Sequence, residues 1–102
     1  MHEEVKTSAE FDAAVKSGKV LVDFWATWCG PCRMMGQMIA EELEPAMPEL
    51  KVVKVNVDEC EPELPARFNV MSIPALVCFK DGVQVADFIG VTPVAQIRNA
   101  FV

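Results

Sequence analysis

Short apolar runs alternate with polar turns along the chain and predict four β-strands. Two strands lie early, at residues 20–25 and 51–57, and two lie late, at residues 75–79 and 83–89; each is rich in β-branched or aromatic residues. Asp81 and Gly82 lie between the late pair, and this dipeptide is typical of a tight hairpin turn. The two late strands are therefore expected to be antiparallel neighbours.

Apolar residues at helical spacing predict helices between and beside these strands. Four helices are expected: one capped by Thr7 or Ser8 and ended by Gly18, one at residues 31–43, a short one bearing Pro62 and Pro65, and a last one capped by Thr92 with Pro93 at its first position. A loop with Pro45 and Pro48 should follow the second helix, and the terminus around His2 is expected to be disordered. This alternation indicates an α/β fold, with a central mixed sheet of four to five strands and about four helices on both faces.

Length and composition indicate one globular domain. The 102 residues, 52% of them hydrophobic, suffice for a single core, so residues 1–102 are predicted to form one domain. A formal net charge of -6, with only nine Lys and Arg, argues against nucleic acid and anionic membranes as partners. The absence of a secretory signal and of a membrane-length apolar run predicts a cytoplasmic location, and we expect a monomer.

The motif CGPC at residues 29–32 lies between the first predicted strand and the second predicted helix. Cysteines at this spacing can form a disulfide, so a reversible dithiol/disulfide centre is the leading hypothesis. A structural disulfide framework is disfavoured by the sizeable apolar core and the missing secretory signal. A zinc site usually has two closely spaced ligand pairs, whereas Cys60, Cys78 and His2 are isolated, so no metal is expected.

The two cysteines of the motif differ in their place on the helix. Cys32 aligns with Met35 and Ile39 on the apolar face and is expected to be buried, whereas Cys29 lies at the helix tip and is expected to be exposed. Unpaired amides and the helix dipole favour a thiolate at this tip and predict a pKa for Cys29 below about 8.5. Cys29 is thus the expected nucleophile, and Cys32 the thiol that resolves the mixed disulfide.

Asp23 is an acidic residue inside an otherwise apolar strand, shortly before this motif. Burial would raise its pKa and make it a proton acceptor for Cys32, with Lys54 on another strand as a partner that tempers the shift. Alternatively, Asp23 bonds to backbone at a sheet edge and Lys54 extends to solvent. The spacing alone favours neither interpretation.

Four segments resemble the thioredoxin family, in the same order and over nearly the whole chain: VDFWATWCGPCRMM, VKVNVDE, VMSIPALVCFKDG and Gly90. The resemblance implies the thioredoxin fold and a protein disulfide reductase with Cys29 as nucleophile and Cys32 as resolving thiol. It makes Asp23, with Lys54 as its partner, the buried acid of the site. It also implies a cis peptide bond before Pro74 and a mostly apolar docking surface for clients, formed by Trp28, Gly30, Pro31, Ile73, Pro74 and Gly90.

The same resemblance implies that no cofactor is bound, because the electrons reside on the cysteine pair, and that a thioredoxin reductase recharges the chain for its disulfide-containing client proteins. Gly-Pro between the cysteines is typical of the reductases of this family. Gln37 replaces the usual family proline and predicts a kink that is weaker or rests on Gly36. The rival interpretations are a disulfide isomerase or specialised redox carrier on the same fold, and a thioredoxin-like binding module with incidental cysteines.

Overall fold

A computed structural model of the chain describes residues 2–102 and contains a five-stranded mixed sheet. The strands are β1 (His2–Glu4), β2 (Lys19–Trp25), β3 (Lys51–Asn56), β4 (Ala75–Lys80) and β5 (Val83–Ile89). They lie in the order β1-β3-β2-β4-β5, in which β3 is parallel to β1 and β2, and β4 is antiparallel to β2 and β5. The predicted mixed central sheet is confirmed, with five strands.

Helices cover both faces of this sheet. The helical segments are α1 (Ser8–Ala14), α2 (Gly30–Met38), a π-helical turn (Ile39–Leu43), α3 (Glu44–Ala46), α4 (Glu63–Arg67) and α5 (Val94–Ala100). On one face, α1 and α4 bury Phe11 and Leu64 against the sheet, and on the other face α2 and α5 bury Met35 and Ile97. No helix within residues 2–102 is long and apolar enough to cross a bilayer.

The hairpin between β4 and β5 forms as the sequence predicts. Lys80 pairs with Val83, so that only Asp81 and Gly82 form the turn. Both turn residues have positive φ angles, 50° for Asp81 and 84° for Gly82. This combination is the signature of a type I′ turn, whose twist matches that of the flanking strands. The local sequence is therefore sufficient to specify this part of the sheet.

The prediction of a disordered terminus at His2 is wrong, because residues 2–4 form the edge strand β1. His2, Glu3 and Glu4 pair with β3 in parallel register, and all three are exposed. Backbone hydrogen bonds to β3 define this strand, whereas an alternation of buried and exposed side chains does not. Polar residues of this kind give no periodic signal, which is why the sequence pattern did not predict it.

The helix that follows the cysteine motif is longer than predicted. It runs through Gln37 and, after the π-helical turn, continues directly into α3. Pro45 lies inside α3, so the prediction that it belongs to a loop is wrong. In the π-helical segment the N–H of Glu44 donates to the carbonyl of Ile39, five residues earlier. Because this turn already departs from the α-helical hydrogen-bonding pattern, the missing N–H of Pro45 disrupts the helix little further.

The cap of the last helix also differs from the prediction. Pro93 occupies the N-cap position of α5, and no side chain of the described residues caps this helix. The hydroxyl of buried Thr92 instead donates a 3.0 Å hydrogen bond to the carbonyl of Gly90, and its N–H donates to Met35 Sδ at 3.3 Å. Thr92 therefore ties the Gly90 segment to α2, which positions Gly90 close to the helix that carries the cysteines.

Candidate active site

The cysteine motif occupies the junction between β2 and α2. Cys29 is the N-cap of α2, and its Sγ accepts a 3.1 Å hydrogen bond from the backbone N–H of Cys32. A disulfide joins the two residues, whose Cα atoms are 5.2 Å apart. The sulfur of Cys29 lies against a backbone amide at the positive end of a helix, an arrangement that favours a thiolate once the disulfide is reduced.

Both cysteines are buried, so the expected exposure of Cys29 is wrong. Each cysteine is only 3% exposed. The pair packs with Ala26 in a small apolar cluster, against which lie Trp25, Val57 and Ile73. These covering residues are far apart in the sequence, so helical spacing could not reveal that they shield the tip of α2. The two cysteines differ instead in backbone position, with Cys29 at the N-cap and Cys32 inside the first turn.

The loop before β4 places the Ile73–Pro74 segment beside the disulfide. The peptide bond between these residues is cis, as the family resemblance implies. The carbonyl oxygen of Ile73 lies 3.9 Å from Cys29 Sγ, and the carbonyl of Pro74 accepts a 2.7 Å hydrogen bond from the N–H of Gly90. Gly90 has a φ of +85°, a backbone angle that residues other than glycine rarely adopt. The structure thus brings Ile73, Pro74 and Gly90 together, although Pro74 itself is buried.

Trp28 borders an apolar groove next to the disulfide. It is 69% exposed, and its Nε1–H donates a 2.7 Å hydrogen bond to Asp58 Oδ2. The groove has a volume of about 490 Å³ and is lined by Trp28, Val57, Pro65, Val70, Met71, Ser72 and Ile73. Gly30 and Pro31 are exposed in the first turn of α2. An apolar segment of another protein could therefore lie in the groove, close to the sulfurs.

Two residues at this groove escaped the sequence analysis. Asp58 holds the ring of Trp28, and Met71, which is 85% exposed, lines the groove. The sequence could have indicated Met71 as a contact residue, because it is a large apolar residue outside every predicted helix and strand. Nothing in the sequence indicated a role for Asp58, because an acidic residue in a turn is ordinarily solvated.

Asp23 is completely buried on β2, and among residues 2–102 neither of its carboxyl oxygens has a hydrogen-bond partner. Burial raises its pKa from 3.8 to about 6, while the positive charge of Lys54 lowers it and the negative charge of Glu4 raises it. Because β2 is the central strand and the carboxyl has no backbone partner in the part of the chain that the structure describes, the alternative of a carboxyl bonded at a sheet edge is wrong. The carboxyl can accept and release a proton near neutral pH.

Lys54 lies opposite Asp23 in the register of β3 and β2, but within residues 2–102 it forms no direct ion pair with it. Its Nζ lies 4.8 Å from the centroid of the Trp25 ring. On the side of α2, a Cβ added at Gly36 would come within 3.6 Å of the same Nζ. The half-buried Lys54 side chain therefore runs between Trp25 and α2, and it acts on Asp23 through space rather than through a hydrogen bond.

The remaining cysteines, Cys60 and Cys78, are free thiols. Burial raises the pKa of both, to about 12 for Cys78. A raised pKa leaves little thiolate at neutral pH, so neither thiol matches Cys29 as a nucleophile. Among residues 2–102, no three His, Cys, Asp or Glu side chains cluster in a way that could hold a metal ion.

Comparison with known proteins identifies the family to which this site belongs. A family model described as Thioredoxin matches residues 2–101. The thioredoxin of Listeria monocytogenes is 48% identical over 91 residues, which cover 89% of this chain and 87% of that protein. The thioredoxin of Alicyclobacillus acidocaldarius is 48% identical over 93 residues, covering 90% and 88%. The oxidised form of mitochondrial thioredoxin 3 from Saccharomyces cerevisiae is 34% identical and superposes with a TM-score of 0.86, covering 97% of this chain and 92% of that chain. The chain therefore belongs to the thioredoxin family, and it is a thiol-disulfide oxidoreductase that reduces protein disulfides.

Proposed function

We propose that the chain carries two electrons from a thioredoxin reductase to the disulfides of client proteins, with Cys29 and Cys32 as the reacting groups and Asp23 and Lys54 assisting them. The observation that carries this proposal is the Cys29–Cys32 disulfide at the start of α2, beside the apolar groove and after the strand that bears buried Asp23. In this proposal residues 1–102 act as one domain. The chain needs no bound cofactor, because its own sulfurs hold both electrons.

In the first step, the Cys29 thiolate attacks one sulfur of the client disulfide. A bond forms between Cys29 Sγ and that sulfur, the client S–S bond breaks, and the other client sulfur leaves as a thiolate. The N-cap position of Cys29 aims the N–H of Cys32 at the attacking sulfur, 3.1 Å away. This amide stabilises negative charge at Cys29 before the attack, which makes Cys29 the nucleophile and Cys32 the resolving thiol.

In the second step, Cys32 gives its proton to Asp23 and attacks Cys29 Sγ. The bond between Cys29 and the client breaks, the second client sulfur leaves as a thiolate, and the Cys29–Cys32 disulfide forms. Two electrons have then passed from the chain to the client. The pKa of about 6 that burial gives Asp23 suits it to accept the proton, and Lys54 assists by limiting the rise in that pKa.

Clients dock on the surface formed by Trp28, Gly30, Pro31, Ile73, Pro74 and Gly90, and on the apolar groove beside it. Trp28 and Met71 supply exposed apolar area, and the backbone of Ile73 lies close enough to Cys29 to bind an extended client segment. Buried Pro74 contributes by shaping the loop, and Gly90 by its hydrogen bond to that loop.

We expect substitutions in the groove to weaken client binding without changing the thiol chemistry. Trp28→Ala and Met71→Ser should each lower kcat/KM for insulin reduction by about tenfold through a higher KM, since each removes apolar contact area worth about 1.4 kcal/mol. Val83→Ser is the matched control, because Val83 is 64% exposed but lies in the β4–β5 hairpin at the opposite end of the sheet. Equal KM values for all three variants and the native chain would contradict docking in the groove.

The oxidised chain must be reduced again before it can act on another client. An NADPH-linked, flavin-dependent thioredoxin reductase would supply the two electrons. Such a cycle runs only where thiols are kept reduced, which favours the cytoplasm, and the free Cys60 and Cys78 fit such a compartment. We further propose that the chain works as a monomer, because the groove and both sulfurs belong to one chain.

A coupled assay tests the proposed function. The oxidised chain is mixed with a bacterial thioredoxin reductase, NADPH and insulin, and both NADPH absorbance and insulin turbidity are followed. We expect NADPH consumption that requires the chain and matches the insulin disulfides reduced. Insulin reduction with dithiothreitol but without NADPH consumption would show that a different donor recharges the chain, whereas no reduction with either donor would contradict the proposed function itself.

A further inference from the structure

Three charged residues stand side by side across the three parallel strands β1, β3 and β2. Glu4 pairs in register with Lys54, and Lys54 pairs in register with Asp23. Laterally paired residues of neighbouring strands point to the same face of a sheet, so Glu4, Lys54 and Asp23 share one face, with the lysine on the strand between the two acidic residues. Glu4 is exposed, Lys54 is half-buried and Asp23 is completely buried. The row therefore runs from the solvent-exposed edge of the sheet to buried Asp23.

Within residues 2–102, few other charged groups face Asp23. A cavity of about 30 Å³ lies against it, and its other lining residues are His2, Gly36, Ile39, Ala40, Glu44, Val52 and Lys54. The titratable side chains around this cavity are His2 from β1, Lys54 from β3 and Glu44 from α3. The α2 residue there is uncharged Gly36, and the β4 partner of Asp23 is Leu76. Glu4 on β1 adds one more charged group, because it pairs in register with Lys54.

We propose that Glu4 is a positioning residue for the thiol reaction, in which it competes with Asp23 for the charge of Lys54 and so keeps Asp23 able to take a proton from Cys32. This inference rests on the proposed role of Asp23 as proton acceptor.

Lys54 forms no direct ion pair within residues 2–102 and is therefore not committed to either carboxylate. Lys54 assists by limiting the rise in the pKa of Asp23, but the same positive charge with nothing to offset it would lower that pKa further and weaken the carboxylate as a base. A second carboxylate beside the same lysine offsets this effect. The charges of Lys54 and Glu4 act on Asp23 in opposite directions, as this offset requires: Lys54 lowers the pKa of Asp23 and Glu4 raises it.

Distance and exposure set the size of the effect. Two strand spacings place Glu4 about 10 Å from Asp23, so the effect of one charge at the exposed edge should be about half a pH unit at low ionic strength. Salt should screen it, because the Debye length falls from about 10 Å at 0.1 M to about 3 Å at 1 M. Glu4 is exposed and contributes little to the core, so its substitution should leave the fold intact.

The experiment compares Glu4→Gln with Glu3→Gln in the full chain. Glu3 is the adjacent residue of β1 and points to the other face, where its Oε1 lies 3.3 Å from Lys51 Nζ; the two substitutions change the net charge equally. Carboxyl-carbon NMR follows the titration of Asp23. Rapid-mixing kinetics follow the pH dependence of mixed-disulfide resolution with a disulfide-bonded peptide. Both are repeated with His2→Asn present, because His2 lines the same cavity as Asp23.

We expect the Asp23 midpoint to fall by about half a pH unit in Glu4→Gln at low salt and to stay unchanged in Glu3→Gln. The pH profile of resolution should move down by the same amount, and both shifts should vanish at about 1 M salt. Equal midpoints in the two variants would overturn the inference while leaving Asp23 as the proton acceptor. A midpoint that falls in Glu4→Gln without any change in the resolution profile would overturn the proposed role of Asp23, and the role of Glu4 with it.

Discussion

Cys29→Ser is expected to abolish disulfide reduction. Insulin reduction with dithiothreitol should fall by at least about a thousandfold, to the rate of dithiothreitol alone, because a serine hydroxyl is not ionised at neutral pH and cannot attack a client sulfur. Insulin turbidity measures this directly. Cys60→Ser, which removes a free thiol with a raised pKa, is the control and should keep the native rate.

Cys32→Ser separates the two steps of the reaction. This variant retains the nucleophile, so it should form a mixed disulfide with a client and then stop, since no resolving thiol remains. Mass spectrometry of the non-reduced mixture should show one client chain bound through Cys29. Normal turnover in Cys32→Ser, or continued reduction in Cys29→Ser, would contradict the assignment of the two roles. An unchanged biological effect in the variant that lacks both cysteines would instead favour a binding module.

Asp23 is expected to lower the stability of the oxidised chain as the pH rises. Its pKa is about 6 in the folded chain against 3.8 for the ordinary carboxyl, so between these values the folded state binds more protons than the unfolded state. The free energy of unfolding therefore falls as the pH rises from about 4 through 6. The total loss is about 3 kcal/mol, because each unit of pKa difference corresponds to about 1.4 kcal/mol.

Urea unfolding of the native chain and of Asp23→Asn at several pH values measures this loss. The asparagine cannot ionise, so the variant should lack this pH dependence, and its stability relative to the native chain should increase by about 2.5 kcal/mol between pH 4 and pH 8. Asp87→Asn is the control, because Asp87 is exposed on β5, and its substitution should leave the pH dependence unchanged. A constant difference between Asp23→Asn and the native chain across this range would contradict the raised pKa.

These two predictions draw on different levels of information. The cysteine motif and its position between a strand and a helix are legible in the sequence, and so is an aspartate inside an apolar strand. The packing and the charges around Asp23 cannot be predicted from the sequence. Within residues 2–102 the Asp23 carboxyl lacks a hydrogen-bond partner, and Lys54 acts on it without a direct contact. Neither fact can be predicted from the spacing of residues along the chain, because both depend on how α2 packs over β2 and β3.

The features that helical and strand periodicity does not predict have a common physical origin. Helical spacing placed Cys29 on the exposed side of its own helix, but residues from other segments cover it, and it is 3% exposed. The strand at His2 and the helical position of Pro45 were missed for a similar reason. Backbone pairing with β3 and an irregular π-helical turn decide these features, and neither produces an apolar period.

The order of most helices and strands, the β4–β5 hairpin and the position of the reactive cysteines can all be predicted from the amino-acid sequence. These features depend on contacts between residues that are close along the chain, such as the positive φ angles of Asp81 and Gly82. Tertiary structure alone decided the cover over the disulfide, the contact of Gly90 with Pro74, the hydrogen bond between Trp28 and Asp58, and the row of Glu4, Lys54 and Asp23. Each of these joins segments that are distant in sequence, and only the packing of the folded chain brings them within reach of one another.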